Sequence, residues 1–192
     1  MSEETMITGH TARPPLARVA RLAALLAGGS LVMVACAKTT VPFWPVPMTM
    51  QVFGAFLLAA LAGGRLAAGM ILVYLIEGAL GLPVFAGTAG GGAGLAALFG
   101  PTGGYLAGFA IAALVAGEWM RRTQARGGGA ALAPMLAGLG VIYLCGALWL
   151  VPFVGWHKVL AVGVTPFLVG DLLKVLLAAV TAAVLLRWKE AA

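Results

Sequence analysis

Charge is what this sequence most lacks. Asp, Glu, Lys and Arg make up 9% of its 192 residues, against ~25% in a soluble domain. So little charge cannot cover a water-facing surface, which excludes a soluble enzyme, a disordered chain and a nucleic-acid-binding module. Histidine is confined to His10 and His157, and the lysines never stand in a G-x-x-x-x-G-K-[ST] context. There is no HExxH, and a histidine in the N-terminal tail cannot join one in a distant loop to build a Ser–His–Asp set. The expectation is a protein that is not an enzyme, has no metal and needs no cofactor. Cys36 and Cys145 stand alone in apolar runs, without a CxxC or a disulfide framework, and read as buried thiols. No short apolar stretch with a cleavage site opens the chain, so no cleaved signal peptide is expected.

What is present is apolar sequence: 62% of the residues are hydrophobic. A spanning helix needs ~20 apolar residues. The runs at 16–37, 52–62, 66–82, 105–120, 132–151 and 166–186 predict an all-α integral membrane protein with six transmembrane helices. The second and third runs are short, which suggests tilted or partly broken spans. The implied layout is an N-terminal tail over 1–15, a six-helix substrate-binding domain over 16–187 and a C-terminal tail over 188–192. Between the first two spans VPFWPVPMTMQ carries three prolines in seven residues and reads as a stiff non-helical loop. Residues 81–104 are glycine-rich, uncharged and too irregular to face lipid, so they belong at a membrane face or along a cavity. Residues 152–165 read as a loop with some helical character.

The basic residues orient these spans. With the N-terminus inside, Arg13, Arg18, Arg21, Arg65, Arg121, Arg122, Arg126, Arg187 and Lys189 face the cytoplasm, and only Lys38 and Lys158 lie outside. That nine-to-two bias places both termini in the cytoplasm and all three long loops on the outer face, where they would cap an outer pocket.

The twelfth basic residue, Lys174, falls within the last span, one helical turn from Asp171. A charge near the bilayer centre costs ~2.5–3.5 kcal/mol on insertion scales. Residues at i and i+3 share a helix face, so this pair is either a self-neutralising strut or a polar ligand site. Glu77, Gln51, Tyr74 and Tyr143 are further candidates, each also explicable by packing. Phe43 and Trp44, set between prolines, read as a pocket wall or lid, with Phe85 nearby. Gly90 and Gly91 lie in a glycine run that offers bare backbone to a ligand. In the first span Ala20 and Ala24 form a small-xxx-small pair that allows close helix approach. From the residues alone this is a gated outer pocket for a small amphiphilic ligand, without a motor.

VPFWPVPMTMQ, YLIEGALGLPVF with its following glycine run, FGPTGGYLAGF and TPFLVGDLLK, in that order, resemble the BioY family. Its members are the biotin-specific substrate-binding (S) subunits of energy-coupling factor (ECF) transporters. The resemblance covers residues 17–186. It implies six helices in a bacterial cytoplasmic membrane and an extracytoplasmic biotin pocket. It also implies two kinds of partner, a transmembrane coupling subunit and ATP-binding-cassette ATPases. By the same resemblance Asp171 and Lys174 match the family's acid and lysine in the last helix. Ala20 and Ala24 match its docking motif, and residues 87–94 match its glycine-rich loop. Some members place an arginine after that loop. This chain has no basic residue between Arg65 and Arg121, which leaves Lys174, with Lys38, as the cation for the ligand's carboxylate. A self-sufficient membrane carrier for biotin is the alternative.

Overall fold

The computed structural model describes residues 15–42, 44–86 and 94–191. Phe43, Gly90, Gly91 and most of the N-terminal tail lie outside the described residues. Among the described residues the architecture is helical apart from one two-residue β pair. In chain order the elements are α1 (Pro15–Lys38), β1 (Thr40–Val41), β2 (Met48–Thr49), α2 (Gln51–Ala62), α3 (Gly64–Ala79), α4 (Leu95–Phe99), α5 (Gly103–Thr123), α6 (Gly129–Val154), α7 (Trp156–Gly163) and α8 (Leu168–Ala191).

Helices α1, α5, α6 and α8 are long and apolar enough to cross a membrane. At ~1.5 Å per residue, α2 and α3 fall short of a ~30 Å hydrocarbon core. Their brevity has a physical reason. Most of α2 is buried inside the bundle, and irregular backbone is tolerated at membrane depth where protein rather than lipid surrounds it.

Helix α5 is central. It packs along α6 and against α3 and α2, while α2 also meets α8, and α1 lies on α3 and α2. These seams are closed by small residues, the usual device where lipid and side chains are equally apolar. A Cβ at Gly104 of α5 would stand 2.5 Å from the Cys145 carbonyl oxygen of α6 and run into Trp149. At the other end of α5, a Cβ on Gly117 would lie 2.5 Å from the Gly64 backbone of α3.

Two expected boundaries shift. Helix α6 continues through Pro152 to Val154, and residues 156–163 form α7, so most of the expected 152–165 loop is helical. Pro152 sits near the end of α6, where its missing N–H removes one bond without preventing the last turn. Helix α8 runs on through Arg187, Trp188 and Lys189 to Ala191 instead of closing near Leu186. Helical structure can extend beyond the apolar stretch because Arg, Lys, Glu and Ala are all good helix formers.

The α5–α6 seam gives a direct test. Gly104→Val should cost about 1–3 kcal/mol by overpacking, read as a lower thermal midpoint in detergent. Gly140→Ala, on the same α6 but with nothing within 4 Å of the added carbon, should not lower it. Equal midpoints for Gly104→Val and the unmodified chain would mean that the seam is not close-packed.

Candidate functional site

The loops and helix ends that follow α1 and α3, precede α2, α5 and α8, and follow α6 gather at one end of the bundle. There they enclose a cavity of about 270 Å³, close to the lower limit of ~300 Å³ for small-molecule pockets. Its lining comes from Pro45–Thr49 (residues 45–49), the start of α2, Phe85, α4, residues 100–102, the first turns of α5, Ile142 and Tyr143 of α6, Phe167 and Asp171.

Asp171 is the charged group in that lining. Its backbone N–H donates to the Phe167 carbonyl at 2.8 Å as the first turn of α8 forms. Its side chain is buried, and Lys174 Nζ donates to Oδ1 at 2.7 Å from one turn further on. Tyr143 of α6 donates its hydroxyl proton to Oδ2 at 2.8 Å. A carboxylate offers about four acceptor directions, so roughly two remain for donors entering the cavity. Lys174 does not line the cavity; it lies behind the carboxylate and pairs with it, which offsets the cost of burying either charge.

A second polar group is fixed from the opposite wall. Gln51 opens α2 and is buried, with Thr49 Oγ1 donating to its Oε1 at 3.1 Å. Its Nε2 donates to the Tyr74 hydroxyl at 3.1 Å. Tyr74 is fully buried and meets Phe85 edge-on, with centroids 5.3 Å apart and planes at 83°, a favoured aromatic geometry. A Cβ at Gly78 would fall on the Phe85 ring, so glycine there lets the ring seat. Lys38 Nζ then anchors the Phe85 carbonyl at 2.8 Å. Tyr74 thus stands behind the wall, and Gln51 and Phe85 form it.

Not every expected residue comes to this cavity. Trp44 is 83% exposed on the loop between the β strands and does not line it. Glu77 is half-buried and accepts the hydroxyl proton of Ser30 across the α1–α3 contact, away from the cavity lining. Phe43, Gly90 and Gly91 lie outside the described residues. Ala20 and Ala24 are exposed in the first half of α1.

Other lining residues went unremarked in the sequence as site candidates. Tyr105 lines the cavity and donates to the Gly163 carbonyl at 2.7 Å, tying the end of α7 to α5. Phe109 follows it one turn later on the same face, and Thr49 and Thr102 add hydroxyls. The signal for the aromatic pair was legible: Tyr and Phe at i and i+4 immediately after GPTGG open a helix towards the loops.

Comparison with known proteins follows the same outline. The sequence profile of the BioY family matches residues 6–191. The probable biotin transporter BioY of Pyrococcus horikoshii is 44% identical over 146 residues, 76% of this chain and 84% of the relative. The biotin transporter BioY of Thermotoga maritima is 40% identical over 144 residues, 74% of this chain and 82% of the relative. The crystal structure of an S-component for biotin from an ECF-type ABC transporter superposes with a TM-score of 0.76. It covers 92% of this chain and 95% of that one at 22% identity, a likeness of fold.

The ion pair makes a separable prediction. Lys174→Met leaves Asp171 with Tyr143 alone and should cost about 3 kcal/mol, the low end of the range for breaking a buried pair. Adding Asp171→Asn removes the orphan charge and should recover most of that loss. Thermal unfolding in detergent reads both variants; equal destabilisation would show that the two side chains are not coupled.

Proposed function

Because the chain belongs to the BioY family, we propose that it is the biotin-capturing S subunit of an ECF-type uptake transporter. The observation that carries this reading is the cavity carboxylate: Asp171, held by Lys174 and Tyr143 with acceptor capacity to spare, in a chain whose sequence matches the family along nearly its whole length. Biotin's ureido ring carries two N–H donors and one carbonyl acceptor. The free lone pairs of Asp171 suit the donors, and charge-assisted hydrogen bonds are the stronger kind. The sulfur-containing ring is apolar and suits Phe85, Phe109 and Phe167. The valerate needs a cation or backbone N–H groups, and Lys38 at the Phe85 rim and Lys174 beneath the floor are the cations nearest to it.

In this proposal all six apolar helices cross the cytoplasmic membrane of a bacterial cell, α2 and α3 within the protein's own mass, and the cavity opens outward. Both termini are cytoplasmic by the nine-to-two distribution of basic residues. The first half of α1 supports the assignment of partners. Leu16 is 81% exposed and Val19 66%, and Ala20 and Ala24 lie bare between the larger side chains. This face would receive the transmembrane coupling subunit, and the ATPases would bind that subunit in turn. The transport energy comes from them.

Asp171→Asn should weaken biotin binding by about 1.5–3 kcal/mol, tenfold or more in Kd, in calorimetry on the detergent-purified protein. Unchanged affinity would reduce the pair to a structural strut.

A second experiment tests the partner. Ala24→Trp, or Ala20→Leu with Ala24→Leu, should abolish copurification with the coupling subunit and ATP-driven uptake while leaving biotin affinity intact. Uptake that persists without ATPase and coupling subunits would favour a self-sufficient carrier.

A further inference from the structure

We propose that the groove between the α2–α3 turn and the last turns of α5 holds the phosphate headgroup of an anionic phospholipid. This groove, of about 410 Å³, lies at the end of the bundle opposite the ligand cavity. Its walls are the 62–66 turn on one side and Glu118 and Arg121 on the other.

The chemistry of the walls selects an anion. Arg65 is exposed, and among the described residues its guanidinium has no hydrogen-bond or ion-pair partner. Arg121 donates through Nε to Glu118 Oε2 at 2.9 Å and through Nη2 to Oε1 at 2.5 Å. Arg122 reaches the same Oε1 at 3.3 Å. The two lining arginines against one carboxylate leave a net charge of +1, and Arg122 beside the lining adds a further positive charge. Glu118 holds the Arg121 guanidinium in a fixed orientation while leaving other N–H donors of the planar fork free. A preset guanidinium beside an unpaired one fits a phosphodiester, which arginine binds through paired N–H donors.

The shape is built in. Gly63 turns the chain with φ 83°. A Cβ at Gly64 would collide with the Leu114 carbonyl oxygen and approach Glu118 N to 2.7 Å. This close contact sets Arg65, the next residue, beside the end of α5.

The surroundings select a lipid over a free phosphate. One turn deeper on α5, Leu114 and Val115 are each 41% exposed, and Trp119, next to Glu118 in the same turn, is 43% exposed. An apolar wall below and an indole at the rim are what an acyl chain and a headgroup meet at a membrane boundary. Basic pockets between transmembrane helices are known headgroup sites. A free phosphate would leave that wall unused.

The test uses the full chain in phosphatidylcholine nanodiscs with spin-labelled phosphatidylglycerol. Electron paramagnetic resonance then reads the motionally restricted lipid relative to spin-labelled phosphatidylcholine. The unmodified protein should select phosphatidylglycerol. Arg65→Gln should lower that selectivity about fivefold, the effect of one basic residue near an anionic headgroup. Arg65→Gln with Arg121→Gln should abolish it. Arg187→Gln, at the same end but outside the groove, should leave it unchanged, and unaltered thermal midpoints show that the variants are folded. The proposal is overturned by any of four results. These are no selectivity in the unmodified protein, selectivity retained by the double variant, an equal loss in Arg187→Gln, or displacement of the restricted lipid by inorganic phosphate at constant ionic strength. Selectivity that survives while copurification with the coupling subunit is lost would assign the groove to a protein partner instead.

Discussion

A carboxylate and an ammonium placed inside an apolar bundle must satisfy one another before helices can close around them. In this chain Asp171 and Lys174 do so from one face of α8, 2.7 Å apart, and Tyr143 of α6 takes the second carboxylate oxygen. That constraint fixes the rotation of α8 and brings α6 to it. It also sets the floor of the cavity, because the side of the carboxylate not used by Lys174 and Tyr143 is left towards the loops. The ion pair therefore does two things at once. It offsets the cost of burying two charges in an apolar bundle, and it leaves carboxylate acceptor positions open towards the loop side.

The rest of the site is organised to keep that acceptor in a rigid frame. Gln51, Tyr74 and Phe85 form a chain of contacts linking α2, α3 and the loop after α3, and Lys38 ties the loop back to the end of α1. Tyr105 links α5 to α7 on the other side, and Trp149 Nε1 of α6 donates to the Gly100 carbonyl at 2.9 Å. Nearly every connection between helices at this end is thus fastened by a polar side chain to a neighbouring element. At the opposite end fastening is by close backbone approach at Gly64 and Gly117, with arginines facing outward. The two ends are built differently: one encloses a cavity lined by aromatic and polar side chains, the other is a close backbone contact edged by arginines.

Much of this was legible in the sequence, for reasons that are local. The long apolar runs produced α1, α5, α6 and α8 because length and hydropathy alone determine a spanning helix. GDLLK exposed the ion pair because a charge inside such a run has few alternatives to a partner one turn away. Trp44 was less readable. A tryptophan between prolines suits a pocket wall or a membrane-facing loop equally well, and only the closed β1–β2 hairpin shows it turned outward. The partner of Glu77 is not readable locally: Ser30 comes from α1, 47 positions away in sequence, and no local pattern encodes that. Tyr105 and Phe109 are harder to read as site residues, because the glycines of GPTGG dominate their segment and mask the i, i+4 aromatic pair. The helical character of residues 156–163 was underestimated because Gly155 and Pro152 interrupt the apolar pattern without preventing α7.

The account stands or falls on the buried pair as the receptor of the ligand. The most direct measurement is mass-spectrometric identification of the small molecule carried through purification, compared with the charge-free variant Asp171→Asn with Lys174→Met, in which no buried ion is left unpaired. The account predicts one biotin per chain in the unmodified protein and none in the folded double variant. An unmodified protein that retains a different molecule, or a double variant that retains biotin in equal amount, would contradict it.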